Sequence, residues 1–364
     1  MPPSILLQHK PKTVRVLLGN HARFNVQGED LLLNGSIRLS GTSVFSLRCG
    51  REKDSGALYV EFGAGRRAIG TLEIAAKGEL KMNGRGYRDK LLVSSKGAHC
   101  LVVNEVGLDR YVAGVIGREM AASWPLEALK AQAVASRSYA LHQIEESRGR
   151  DYDLEPTTQD QVYDGISGES PSTLFAAQAT HGEVLSYGNE ALKAYFHANC
   201  GGTTEVPGFV WGGEAKAFRP VVCPYHKRER DRTRWSVKLS LGQLEGALKK
   251  IAGLLPKGFR RLASLEAGAP NESHRLSDVA VSDGKGNSVL VSANSFRNAL
   301  GNTNVKSTAF HIRRGTDGYT LEGEGNGHGV GMCQVGARAM AEEGRSYEQI
   351  LQFYYPLAKI RRVL

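Results

Sequence analysis

The sequence predicts an α+β fold: a strand-rich N-terminal region over residues 1–98, then a mixed helical and strand domain over 99–364. Two observations predict it. Residues 13 to about 103 are short apolar or alternating runs punctuated by glycine or Asn-Gly, the period-two signature of strands. The first helical period begins only at Asp109, and beyond it helices and strands intermingle.

Taken in order, "TVRVLL", "RFNVQG", "LLLNGSIRLS", "LYVEFG", "LKMNGRGY", "KLLVSS" and "CLVVNEV" read as strands. From Asp109 to about residue 147 two helices follow each other, joined by "AASWP"; Ser123 is placed to cap the second and Pro125 falls in its first turn. A helix is expected over 171–180, a strand and loop region from 183, and a helix over 241–255. "LSDVAVSD" and "SVLVSA" form a hairpin across Gly284–Asn287. Ser346 with Gln349 three places on is a capping box that opens "SYEQILQFYYP", and Pro356 stops that helix. There is no internal repeat.

With 364 residues, 41% apolar and 23% charged, the chain can bury a substantial core. No window approaches the ~18 unbroken apolar residues of a membrane span, so no transmembrane segment is expected. The start, "MPPSILLQHKPKTVRVLLGN", reads as carrying no signal peptide. A net charge of +10 implies attraction to an anionic polymer without choosing among nucleic acid, anionic lipid and bacterial wall material. The cysteines, Cys49, Cys100, Cys200, Cys223 and Cys333, are odd in number and irregular in spacing, which argues against a disulfide framework.

One carboxylate is out of place. Leu108, Val112, Val115 and Ile116 share a helical stripe, and Glu119 returns to nearly the same angle at about 100° per residue. On the following helix Leu126, Leu129, Ala133, Ala140, Leu141 and Ile144 define the inward face, with Lys130 and Arg137 inside it. Lysine can snorkel, whereas a mid-stripe arginine needs an anion. "AASWP" reverses the chain, so Glu119 and Arg137 are expected to face one shared space. Two readings follow: a buried Glu119–Arg137 ion pair that sets the helix packing, or a general acid in a cleft.

"FHANCGG" and "VVCPYHK" supply His197-x2-Cys200 and Cys223-x2-His226, mirrored pairs whose two imidazoles and two thiolates make a closed tetrahedral zinc set. Four protein ligands leave no position for water, so such a zinc is structural. The bland alternative is buried cysteines beside unrelated histidines. A nucleic-acid-binding finger is disfavoured because no helix of suitable length separates the pairs, although "HKRERDRTR" keeps that option alive. In "GEGNGHGVGMCQVGA" glycine occupies 323, 325, 327, 329 and 331, which lets another backbone or a ligand approach closely. No GK[ST] follows, so a phosphate loop is rejected. His328 interrupts this loop and Gln334 opens the next helix; taken alone, His328 reads as a structural histidine.

These stretches together resemble the SpoIID/LytB family. The likeness rests on "LDRYVAGVIGREMAASWPLEALKAQAVASRSYAL", "TTQDQVY", "THGEVLSYGNEALKAYFHANCGGTTE", "FRNALGNTNVKSTAF" and "GHGVGMCQVGARAMAEEG…YEQILQFYYP", in family order over about 95–364. The resemblance implies a catalytic domain with a deep groove that cleaves peptidoglycan glycan strands as a lytic transglycosylase; some relatives are instead enhancers of a wall amidase. It makes Glu119 the catalytic glutamate and Arg137 its neighbour near the active site. It also makes His197, Cys200, Cys223 and His226 the zinc ligands, with the excursion at about 195–230 tied by the metal. Lys130, Gln161, Tyr163, His328 and Gln334 become candidates for binding substrate. Cys333 departs from the family motif, which has serine there; it is either silent or an oxidisable thiol on the cleft rim. The expected location is the cell envelope, outside the cytoplasm. The rivals are a wall-binding protein that recruits an amidase and cleaves nothing, and a zinc-organised nucleic-acid binder; no nucleic acid partner is expected.

Overall fold

The computed structural model describes residues 13–52, 55–62, 65–213, 216–225, 233–251, 253, 255, 259 and 261–363. The chain forms an α+β fold in two compact units, residues 1–193 with 359–364, and residues 194–358. The compositional change near residue 100 is not where they divide. The strand His99–Gly107 runs without a break into helix α1 (Leu108–Glu119), so strands and helices share the first unit.

In that unit the strands Thr13–His21, His99–Gly107, Lys90–Lys96, Thr71–Ala75, Arg23–Leu33, Ile37–Glu52, Ser55–Phe62 and Gly65–Ile69 lie side by side in that order, each antiparallel to its neighbour. Leu80–Met82 and Arg85–Tyr87 add a small hairpin beside Arg23–Leu33. Alternation decides which face is covered: Val14, Val16, Phe24, Val26, Leu31, Leu47, Ile74, Leu91, Val93 and Val102 are buried. Cys49 and Cys100, on strands that are not neighbours in this order, are joined by a disulfide. The odd cysteine count argued against a disulfide framework and gave no sign of this single bond, because pairing depends on which strands the sheet brings together.

Helices α1, α2 (Leu126–Glu146) and α3 (Pro171–Ala179) follow, with a small sheet of Glu190–Ala191, Glu183–Tyr187 and Lys359–Arg362. Helix α2 starts at Leu126 with Pro125 as its cap residue and no side-chain capping bond, so Ser123 does not cap it. Its stretch from Ala131 to Leu141 is buried on every face, not along one stripe, because α1, α3 and the strand Glu183–Tyr187 pack around it.

The second unit is built on three small sheets. Arg234–Ser240, Gly318–Glu324 and Phe310–Arg314 form one, and Ser264–Ala267, Asp278–Ser282 and Ser288–Ser292 another. Helices Leu241–Lys250 and Ala293–Leu300 pack on them around Trp235, Leu244, Leu248, Val279, Phe296, Phe310 and Leu321. The expected 241–255 helix thus ends at Lys250, and the 276–292 hairpin and the Ser346–Gln349 capping box are present. The third sheet is a parallel pair, Phe196–His197 beside Met332–Cys333.

Candidate functional site

Glu119 closes α1. Its side chain is half-buried, and Val162 N–H donates to its Oε1 at 3.3 Å. That donor is delivered by a close approach of glycines. A Cβ on Gly117 would lie 2.0 Å from the Gly168 carbonyl oxygen, and one on Gly168 would lie 2.1 Å from that of Gly114. Only the bare backbones of α1 and of the turn Gly165–Gly168 allow the 161–168 segment this close to the helix. Tyr111 Oη donates to Gln161 Oε1 at 3.0 Å and Tyr163 Oη to Asn104 Oδ1 at 2.8 Å, with the two tyrosine rings 5.1 Å apart. Burial raises both phenols, which stay neutral donors.

Gln161 and Tyr163 are therefore buried, hydrogen-bonded core residues and not groove-lining side chains. Their role is to fix the segment that reaches Glu119. Lys130 is partly exposed and its Nζ lies 2.7 Å from Glu127 Oε1, a pair along one helix face.

Arg137 is not a partner for Glu119. Its guanidinium is fully buried and donates to Asp109 Oδ1 at 2.8 and 3.1 Å, to the Ala177 carbonyl at 2.9 Å and to the Glu183 carbonyl at 3.0 Å. His181 Nδ1 meets the other oxygen of Asp109. The reason lies in the helical hairpin. Glu119 sits beside the reversal, whereas Arg137 lies eleven residues into α2, about 16 Å along its axis, level with the start of α1. The expected Glu119–Arg137 pair and a catalytic Arg137 both give way to an Arg137–Asp109 pair. Burial lowers the Arg137 pKa and Asp109 opposes that, so the guanidinium keeps its charge.

The second unit gathers a different set. The parallel register places His197 opposite Cys333, and the ligand atoms of His197, Cys200 and Cys333 lie within 4.8 Å of one another. Cys223 lies beside two of them, with its sulfur in hydrogen-bonding contact with those of Cys200 and Cys333, though it falls outside the set that is mutually within 4.8 Å. Contact with Cys223 is the largest influence pushing the Cys200 thiol up to about 12, and burial raises Cys333. His197 points Nδ1 at the Val330 carbonyl, 3.0 Å away, and its Nε2 is buried with no hydrogen-bond partner. Burial pulls its pKa well down, so it is a neutral imidazole with a lone pair available. These groups fit a soft metal ion. His226 lies outside the described residues.

Cys333 is fully buried, which corrects its expected place on a cleft rim: it caps the helix Gln334–Glu342. His328 accepts from Val330 N–H at 3.0 Å through Nδ1, and burial, then Arg275, pushes its pKa down to about 3. Its ring sits 5.0 Å from that of Trp211, which stacks on Tyr195 at 4.8 Å. Trp211 ends the short helix α4 (Pro207–Trp211) and is 47% exposed. Gln334 is buried at the helix start. The alternate glycines meet protein backbone and side chain: Gly331 faces the Tyr195 carbonyl, Gly327 the His197 side chain and Gly329 the Arg275 guanidinium.

A family model described as stage II sporulation protein (SpoIID) matches residues 96–187, and one for a domain of unknown function (DUF8618) matches 212–331. The chain is 32% identical over 275 residues to an uncharacterised protein of Brachyspira hyodysenteriae, covering 75% of this chain and 72% of that one. It is 30% identical over 270 residues to the stage II sporulation protein D of Bacillus subtilis, covering 70% of this chain and 74% of that protein. The chain belongs to the SpoIID family. It is also 30% identical over 286 residues to a Bacillus subtilis protein named amidase enhancer, of which it spans 39%. These relatives place this SpoIID-family chain in cell-wall-related function. No helix among its described residues is long and apolar enough to cross a membrane.

Of the cysteine–histidine residues that sequence spacing singled out, the structure brings His197, Cys200 and Cys223 to one place. Sequence reasoning missed Asp109, which the rise along an antiparallel helix pair would have indicated. It also missed the place of Cys333, which no local signal carries.

Proposed function

We propose that this chain is a lytic transglycosylase that cleaves the bond between N-acetylmuramic acid and N-acetylglucosamine in peptidoglycan glycan strands, with Glu119 as general acid and base. The observation that supports it is the setting of Glu119: half-buried at the C-terminal end of α1, where the 161–168 segment reaches it and the Val162 N–H donates to its Oε1.

Glu119 protonates the glycosidic oxygen as the C1–O bond breaks. The muramic acid C6 hydroxyl then closes on C1 while the Glu119 carboxylate accepts its proton, which leaves a 1,6-anhydro end and consumes no water. One carboxyl group serves both steps. Asp109 holds Arg137 for the helix packing, and Arg137 takes no part. A zinc ion bound by His197, Cys200 and Cys223 would supply a fixed cross-link between the strand at 196–197 and the loop at 223, with no chemical role.

Incubating the protein with intact and peptide-stripped glycan strands and weighing the products tests this. Anhydro-muramic ends that fall at least about 100-fold in Glu119→Gln, with its fold unchanged, are expected. Hydrated reducing ends would mean a hydrolase. The amidase enhancer among the relatives favours a second reading, in which the chain binds wall material and stimulates an amidase. It predicts no cleavage by the wild type, with stimulation undiminished in Glu119→Gln.

A further inference from the structure

We propose that Cys333 is a metal ligand, so that the ion of the second unit sits among one imidazole and three thiolates, His197, Cys200, Cys223 and Cys333. The inference rests on the zinc part of the reading above and is independent of its glycan chemistry.

Four observations converge on it. The first is register. The two parallel strands pair His197 with Cys333 across 136 residues of chain, and the Cys223 N–H bond to the Gly202 carbonyl, at 2.8 Å, brings in the last sulfur. The second is the orphaned His197 Nε2, buried with no partner while Nδ1 is anchored on the Val330 carbonyl. An anchored Nδ1–H leaves Nε2 as the ligating atom, the arrangement by which metal-binding histidines are oriented.

The third is the set of donors aimed at sulfur. Cys333 Sγ receives the N–H groups of Cys200 at 3.3 Å and Gly336 at 3.4 Å, the second from the first turn of the helix Gln334–Glu342. Cys200 Sγ receives Gly202 N–H at 3.4 Å, and Cys223 Sγ contacts Tyr354 Oη at 3.2 Å. N–H groups aimed at sulfur are the outer contacts that hold metal-ligating side chains in place. The fourth is charge. A divalent ion with three thiolates and a neutral imidazole carries a net −1, whereas two thiolates and two imidazoles carry none. Arg275 is fully buried, donates to the Cys200 carbonyl at 2.9 Å, and lies close to Cys200, Glu205 and Cys333. Its positive charge suits the three-thiolate set.

The test is zinc X-ray absorption on the full-length protein, with cobalt(II) substitution read by thiolate-to-metal charge transfer. Three sulfurs and one nitrogen are expected in the wild type and in His226→Ala. Cys333→Ser should lose one sulfur and bind zinc more than about 100-fold more weakly, since even groups that only orient ligands are worth 10–100-fold. Two sulfurs and two nitrogens, with His226→Ala losing the metal and Cys333 alkylated at unchanged zinc content, would overturn the Cys333 assignment and leave the zinc reading standing. A protein that binds no zinc or cobalt in any form overturns both. The wild-type count decides even where Cys333→Ser does not fold.

Discussion

Arg137 and Glu119 both stand on buried helices, yet their surroundings differ. The guanidinium of Arg137 is closed in by Asp109 and by carbonyls from α3 and the next strand, with no exposure left for a substrate. Glu119 keeps part of its surface open, and the Val162 N–H donates to its Oε1 at 3.3 Å. Arg137→Lys is therefore expected to cost about 3–5 kcal/mol, because an ammonium cannot span Asp109 and two carbonyls at once. Urea unfolding would show the loss as a lower midpoint; an unchanged midpoint would remove Arg137 from the packing role. Glycan cleavage by the fraction still folded should persist, in contrast to Glu119→Gln. That Glu119 is turned partly inward is legible in its helical angle. Its partner was not, because an angle on a helix says nothing about position along it.

At the scale of elements, the contact between α1 and the turn Gly165–Gly168 governs what Glu119 meets. In an open helix, glycine to alanine is stabilising by about 0.5–1 kcal/mol. Gly117→Ala is expected to do the reverse, destabilising by about 1–3 kcal/mol, because the new methyl would fall 2.0 Å from the Gly168 carbonyl. Gly246→Ala, in the helix Leu241–Lys250 with nothing within 4 Å, is the control and should raise the thermal midpoint. Equal shifts for the two variants would refute a tight α1 contact. The displaced 161–168 segment would also withdraw the Val162 donor, so Gly117→Ala should lower cleavage beyond its effect on folding. The helices and strands themselves were readable from periodicity and caps. The 241–255 prediction overran because the apolar period continues past Lys250, where the helix ends.

Across the whole molecule, the Cys49–Cys100 disulfide closes a loop of 51 residues in the strand-rich part of the first unit. In the chain-entropy description such a loop stabilises by about 4 kcal/mol, so reductant or a Cys49→Ala/Cys100→Ala variant should lower the unfolding midpoint accordingly. Thiol titration in denaturant should find three reactive groups before reduction and five after it; five before reduction would rule the bond out. A structural disulfide agrees with work outside the cytoplasm, as the family suggests. By itself the sequence determined the α+β class, the order of helices and strands, the family, and the residue types available for acid–base and metal chemistry, since all of these are written in local period, spacing and motif. Tertiary structure alone decided that Asp109 takes Arg137, that Cys49 finds Cys100, and that Cys333 lies against His197. Each is a meeting of residues far apart in the chain, set by helix reversal and strand register, and local sequence carries no record of which distant backbone will lie alongside.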